Sequence, residues 1–303
     1  VSFVSHNPEQ KIDRYAVIAA AASFILWGLF PLYWNLLPEV SALEVLAHRI
    51  LWSAVLMVCL VLFSGKIRDL RSACSDSRLL LIIFGAALIL SFNWGLYIWG
   101  VTHHYVLQCS LGYFINPILN VLLAVILLGE RLSRKKTVAI IIAAVGCLVM
   151  IISAGEMPWI AFVLAGSFAT YSLIRKKIRI SSMVALTIET CAVAPLAIGY
   201  LLFCSYNDQL SFGHGSMSQN LLMIGAGLVT SVPLLLFGYA AQRIPFSLLG
   251  VLQYLSPTGQ FLLALFYYHE PFTLTQGVAF ILIWLALWIF TADSISQHVD
   301  RTQ

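Results

Sequence analysis

Residues Gln108–Ser133 read QCSLGYFINPILNVLLAVILLGERLS, a long apolar run with a proline near its middle and a Gly-Glu-Arg ending. Residues Leu248–Thr273, LLGVLQYLSPTGQFLLALFYYHEPFT, repeat it. Pro117 answers to Pro257 and Glu130 to Glu270, each pair 140 residues apart. Leu122, Leu123 and Ala124 answer to Leu262, Leu263 and Ala264, and Asn116 and Asn120 to Ser256 and Gln260, at the same offset. The chain therefore reads as two copies of one unit, facing each other across a pair of broken helices.

Composition fixes the solvent of this chain. Of its 303 residues 60% are hydrophobic and 10% charged, against about 25% charged in soluble domains. Mean hydropathy is +0.91. Such a chain cannot cover a globule with polar surface. Its apolar runs are continuous over about 20 residues, the length of a membrane-spanning helix, and do not alternate in segments of about 10 as barrel strands do. Ten spans are expected: Tyr15–Leu36, Leu43–Phe63, Leu79–Val101, Leu107–Leu128, Val138–Ser153, Trp159–Ile174, Val184–Leu202, Leu221–Ala241, Phe246–Tyr268 and Leu274–Ala292. The first follows Lys11 and Arg14 like a signal peptide, but nine similar runs follow it, so it is kept as a span. The six cysteines show no paired spacing and imply neither a disulfide framework nor a metal site.

The basic residues give the orientation. Sixteen of the 17 Lys and Arg fall on one side of a ten-span drawing, before span one or after spans two, four, six, eight and ten. The other side carries Glu39, Glu44, Glu156, Asp208 and Glu270 and no basic residue. The positive-inside rule then puts both termini in the cytoplasm. The net charge of +4 is an orientation signal, and no nucleic-acid partner is expected. Because five spans per copy is an odd number, the second copy enters the membrane inverted. Inverted repeats are a transporter architecture with a midplane binding site at the repeat interface. The bland rival is a structural bundle doubled by duplication.

The residues also resemble a family. NPILNVLLAVILLGERLS, SPTGQFLLALFYYHEPFT and the five-plus-five repeat are similar to the EamA-domain permeases of the drug/metabolite transporter superfamily. WGLFPLYW (27–34), LAHRILWS (46–53), NWGLYIWGV (93–101) and SLGYFINP (110–117) resemble its RarD branch, named for chloramphenicol sensitivity. The resemblance covers nearly the whole chain. It implies an all-α integral membrane protein of the bacterial inner membrane with two inverted five-helix EamA-type repeats, residues 15–153 and 154–292, between cytoplasmic segments 1–14 and 293–303. It implies a carrier or exporter of small molecules and leaves the substrate open.

Candidate site residues follow from position. Pro117 and Pro257 each remove a backbone hydrogen bond mid-span, and the freed carbonyl must find a partner in lipid. Tyr113, Asn116 and Asn120 share one helical face at i, i+3, i+7, as do Gln253, Ser256 and Gln260 at the equivalent positions. Amides on such faces either line a site or bond helices together at about 0.6 kcal/mol each. Asn93 and Tyr97 correspond to Pro233 and Phe237, and Asn93 and Trp94 are further candidates for a cavity wall. Tyr33, Trp34 and Trp99 read as belt residues at headgroup level. Ionisable residues inside spans are His48, Arg49 and Glu189, functional candidates by default. Arg49 and Glu189 are equivalent under the repeat, yet inversion sets each about 8 Å from opposite surfaces of a core of about 30 Å, so a bond between them is not assumed. For Arg49 the expected partners are Glu44, Asn93 or an anionic group on the substrate, because a guanidinium fork holds a carboxylate or phosphate.

No Walker A sequence, HExxH or nucleophile–base spacing occurs, so neither catalysis nor a cofactor or metal is expected. The partners expected are a small-molecule substrate and membrane lipids, with a homodimer left open. The readings carried forward are a secondary transporter, a flippase for a lipid-linked group, and an intramembrane enzyme on lipid-linked substrates. The last needs clustered interfacial acids or histidines, which here are scattered.

Overall fold

The computed structural model describes residues 13–103, 105–154, 157–269 and 273–299. Lys11, Glu156 and Glu270, named above, lie outside them. Among the described residues the chain is all-α, with no strand. In order the helices are α1 (Arg14–Gly28), α2 (Phe30–Trp34), α3 (Ala42–Phe63), α4 (Ile67–Ser75), α5 (Ser77–Thr102), α6 (Val106–Leu128), α7 (Arg134–Ala154), α8 (Trp159–Lys177), α9 (Ser182–Tyr206), α10 (Met217–Ala241), α11 (Phe246–Leu252), α12 (Leu255–Phe266) and α13 (Leu274–Val299).

Eight helical segments, with α11 and α12 counted as one, are long and apolar enough to cross a membrane. The two that fall short of the expected ten have visible reasons. At 15 residues, α1 reaches only about 22 Å, and the chain continues as α2 past a break at Leu29, with Pro31 in the first turn of α2. The end of α8 takes in Arg175, Lys176 and Lys177, which the sequence reading placed beyond the span. Between spans two and three lies the additional short helix α4, where only Ala73 is buried.

The two prolines behave differently from expectation. Pro117 does not break its helix, since α6 runs through it. The neighbouring Phe114 carbonyl accepts from the Tyr254 hydroxyl and the Cys147 thiol, each at 3.2 Å. These bonds tie α6 to its neighbours one residue past Tyr113, whose carbonyl is the one that Pro117 leaves without its helical donor. The ninth span does break, but at Gln253–Tyr254 and not at Pro257. Gln253 is the residue four before the proline, where the ring clashes with the preceding turn. Three-residue bonds carry the chain across, from Tyr254 N–H to the Val251 carbonyl and from Ser256 N–H to the Gln253 carbonyl, both 3.1 Å. Pro257 then sits in the first turn of α12, where its missing N–H would have had no intrahelical partner.

Packing brings together helices that are far apart in sequence. α6 lies against α8 and α11, α3 against α9 and α10, α7 against α13, α1 against α10 and α12, and α5 against α8 and α9. Small residues set the closest crossings. A Cβ on Gly28 would stand 3.1 Å from the Ser256 carbonyl and 3.3 Å from the Gly259 Cα, so α1 and α12 meet backbone to backbone. Gly129, at φ 67°, closes α6 in the left-handed conformation and turns Glu130 toward α11. The Glu130 carboxylate accepts from Phe246 N–H at 2.5 Å, Ser247 N–H at 3.1 Å and the Ser247 hydroxyl at 2.6 Å. A carboxylate satisfying the free amides of a helix start is favourable by both hydrogen bonding and dipole. The Gly-Glu ending of the opening stretch is therefore the cap of another helix.

Candidate functional site

The midplane residues border two cavities. One, a narrow cleft, lies between α5, α6, α8 and the end of α11; Asn93, Tyr97, Tyr113, Asn116, Phe168 and Gln253 line it, with Cys109, Gly112 and Leu164. The other, also narrow, lies between α3, α5, α9 and α10, and its wall includes Trp94, Glu189, Thr190 and Thr230 among mostly apolar side chains. Consecutive residues of α5, Asn93 and Trp94, face one cavity each.

Hydrogen bonding decides which polar groups face open space. Asn93 gives its amide to the Leu164 carbonyl at 2.8 Å and the Ser167 hydroxyl at 2.9 Å. Asn116 donates to the Ala165 carbonyl at 2.8 Å. Asn120 is fully buried and donates to Asn116 Oδ1 at 3.1 Å and Gln253 Oε1 at 2.8 Å. The two polar triads thus meet in one bond across α6 and α11. Their outer members turn away: Ser256 is buried where α12 meets Gly28, and Gln260 donates to the Trp27 carbonyl at 3.4 Å. Asn120, Ser256, Gln260, Pro117 and Pro257 line neither cavity. Tyr97 and Tyr113 stack edge to face at 5.8 Å.

Arg49 is held by rings. Its guanidinium carbon lies 4.8 Å from the Trp34 ring centre, 4.8 Å from that of Trp94 and 5.7 Å from that of Phe30. Nε donates to the Thr230 hydroxyl at 3.0 Å. Neither protein partner expected from the sequence is engaged. The Glu44 carboxylate instead accepts from the backbone amides of Ser211 and Phe212 at 2.9 and 3.0 Å, holding the loop before α10. Asn93 is committed to α8. Trp34 is therefore no simple belt residue, because the turn after the Leu29 break swings it onto Arg49. Tyr33 likewise donates to the Leu222 carbonyl at 2.6 Å. His48 Nδ1 accepts from the Trp52 indole at 3.2 Å.

Glu189 has a partner the sequence reading passed over. It forms an ion pair with Arg175 at 3.1 Å and accepts from the Tyr171 hydroxyl at 3.1 Å. Arg175, grouped with the cytoplasmic loop residues by its neighbours, is completely buried. The available signal was the spacing: Tyr171 and Arg175 are four apart on one helical face, and a carboxylate inside a span needs a cation. Thr230 offered no such signal, since its repeat equivalent is Leu90. Among the described residues no group of three or more His, Cys, Asp or Glu could hold a metal ion.

An all-α bundle with this many helices long and apolar enough to cross a membrane is an integral membrane protein, and its relatives make it a transporter. The chain belongs to the EamA-like transporter family, to which residues 14–152 match, and within it to the RarD-type permeases. It is 44% identical over 287 residues to the transporter YojE of Bacillus subtilis (strain 168), across 93% of this chain and 95% of that one. It is 41% identical over 287 residues to Protein RarD of Escherichia coli (strain K12), across 95% of this chain and 97% of that one. A solved crystal structure, 19% identical, shares the fold with a TM-score of 0.71 over 91% of this chain and 97% of its own.

Proposed function

We propose that this protein is a secondary transporter of the bacterial inner membrane that moves a small organic solute by alternating access, with the solute bound between two inverted five-helix repeats, 15–153 and 154–292. Both termini are cytoplasmic in this reading. The observation that carries it is the cavity bounded by α5 and α6 of the first half and α8 and α11 of the second, with Asn93, Tyr97, Tyr113, Asn116 and Gln253 on its wall. Sites of this kind, at the midplane and at a repeat interface, are where inverted-repeat transporters bind.

The helix pairing supports the repeats. If α1–α2 is span one and α11–α12 span nine, moving both partners on by five spans turns the pair α1–α10 into α8–α5. It turns α3–α10 into α9–α5, and α6–α8 into the contact of α12 with α1. The pairs α3–α9, α6–α11 and α7–α13 map onto themselves. A two-fold axis in the membrane plane has this effect, and a bundle of unrelated halves has no reason to.

Comparison of all metabolites released by deletion and overexpression strains tests the reading. A solute that accumulates outside with overexpression, and inside with deletion, is the expected result. Identical exometabolomes across several growth media would leave the transport reading without support.

A further inference from the structure

Resting on the transport reading, we propose that the transported solute is an organic monocarboxylate with a hydrophobic body, and that Arg49 is the residue that takes its carboxylate. Three observations carry this.

The first is the state of the guanidinium. Arg49 uses Nε on Thr230, and Trp34 and Trp94 lie against it at 4.8 Å each. Cation–π contacts of this kind stabilise and orient a charge but consume none of its N–H donors. Among the described residues Arg49 forms no ion pair, and Nη1 and Nη2 make no hydrogen bond while keeping accessible surface. Two parallel donors held in a fixed plane and left unused match a carboxylate bidentately.

The second is the charge of the surroundings. Glu189, the other ionisable residue on the repeat-equivalent position, faces the cavity that Trp94 and Thr230 also line, but Arg175 at 3.1 Å matches its charge. Arg49, which meets that wall through Thr230 and Trp94, is then the cation beside it that has no ion-pair partner among the described residues. A monoanion bound there gives a neutral pair, whereas a dianion leaves one charge to be carried through a low-dielectric core. A cation would be repelled outright.

The third is the wall. Phe30, Trp34 and Trp94 surround the guanidinium with ring centres 4.8 to 5.7 Å from its central carbon, and their faces offer an apolar body a surface to pack on.

The test uses purified wild-type protein in detergent and four probes that share one phenylpropyl or phenylsuccinyl skeleton: 3-phenylpropionate, its neutral amide, 3-phenylpropylammonium and the dianion phenylsuccinate. Ligand-induced stabilisation and quenching of the tryptophan fluorescence are read together. 3-Phenylpropionate is expected to bind about tenfold or more tighter than the amide, because hydrogen bonds to a charged group contribute about 1.5–3 kcal/mol and 1.4 kcal/mol is tenfold. Arg49→Gln should erase that preference and Arg49→Lys should retain only part of it. Equal binding of acid and amide, preference for the cation or dianion, or no binding by any probe overturns the proposal. The wild-type comparison needs no variant, so poor folding of an Arg49 substitution does not blunt it. The export comparison judges the transport reading separately: a neutral or cationic solute released on overexpression removes the monocarboxylate and leaves transport standing.

Discussion

The Glu189 carboxylate of α9 and the Arg175 guanidinium of α8 meet at 3.1 Å with 3% and 0% of their side chains exposed. Gly238 of α10 makes room for the pair, since a Cβ there would overlap Arg175 Nη2. Removing one partner from a buried pair leaves an uncompensated charge and costs about 3–5 kcal/mol, while replacing both with apolar groups is often neutral. Arg175→Met and Glu189→Met should each lower the unfolding temperature in detergent, and the double variant should recover most of the loss. Single variants as stable as wild type would mean that the pair does not hold α8 to α9.

This pair also marks where the sequence stops being legible. The membrane class and eight of the ten expected spans follow from hydropathy, because a lipid solvent imposes long apolar helices. Which polar group meets which does not follow, because it depends on rotation of each helix about its axis. Asn93, Tyr97, Tyr113, Asn116 and Gln253 converge on one cavity, yet the same helical-face argument also named Asn120, Ser256 and Gln260, which are turned into helix contacts. Arg175 was hidden by the basic residues beside it, and the ring contacts of Arg49 depend on the break at Leu29, which Pro31 marks as irregular backbone without telling which way Trp34 then turns.

Glu130 makes three hydrogen bonds at the start of α11. Glu130→Ala leaves two buried amides without an acceptor. Lost caps cost about 0.5–2 kcal/mol, and burial puts this one at the upper end. Faster heat inactivation and faster amide exchange at the start of α11 are the expected readouts. Unchanged exchange there would show that the cap is dispensable.

Asn120 joins α6 to α11 and lies outside both cavities. Asn120→Leu should cost on the order of 0.6 kcal/mol, the average for an interhelical bond in membranes, and leave solute affinity within about twofold, since tenfold would require 1.4 kcal/mol. Asn116→Ala, at the cavity wall, should weaken solute binding more than it lowers abundance. Binding measured beside thermal stability separates the two, and the reverse ranking would move the site.

Orientation is testable at two positions. Cys74 is exposed in the short basic helix α4, and Asp208 follows the end of α9. In a background free of other cysteines, Cys74 should react with an impermeant thiol reagent in inside-out vesicles, and Asp208→Cys in intact cells. Cys204 is buried and cannot serve as the outer reporter. Labelling of Cys74 from outside intact cells would invert the topology.

Cys109 sits on the wall of the cavity between α5, α6, α8 and the end of α11, 1% exposed. A pathway that opens to each side in turn must bring water to this thiol, whereas a static bundle must not. The measurement is the rate at which a small impermeant methanethiosulfonate modifies a variant retaining Cys109 alone, in right-side-out and in inside-out vesicles. Alternating access predicts modification from both sides, with loss of transport in step with labelling. A thiol that stays unmodified from either side, in a protein that still transports, would contradict it.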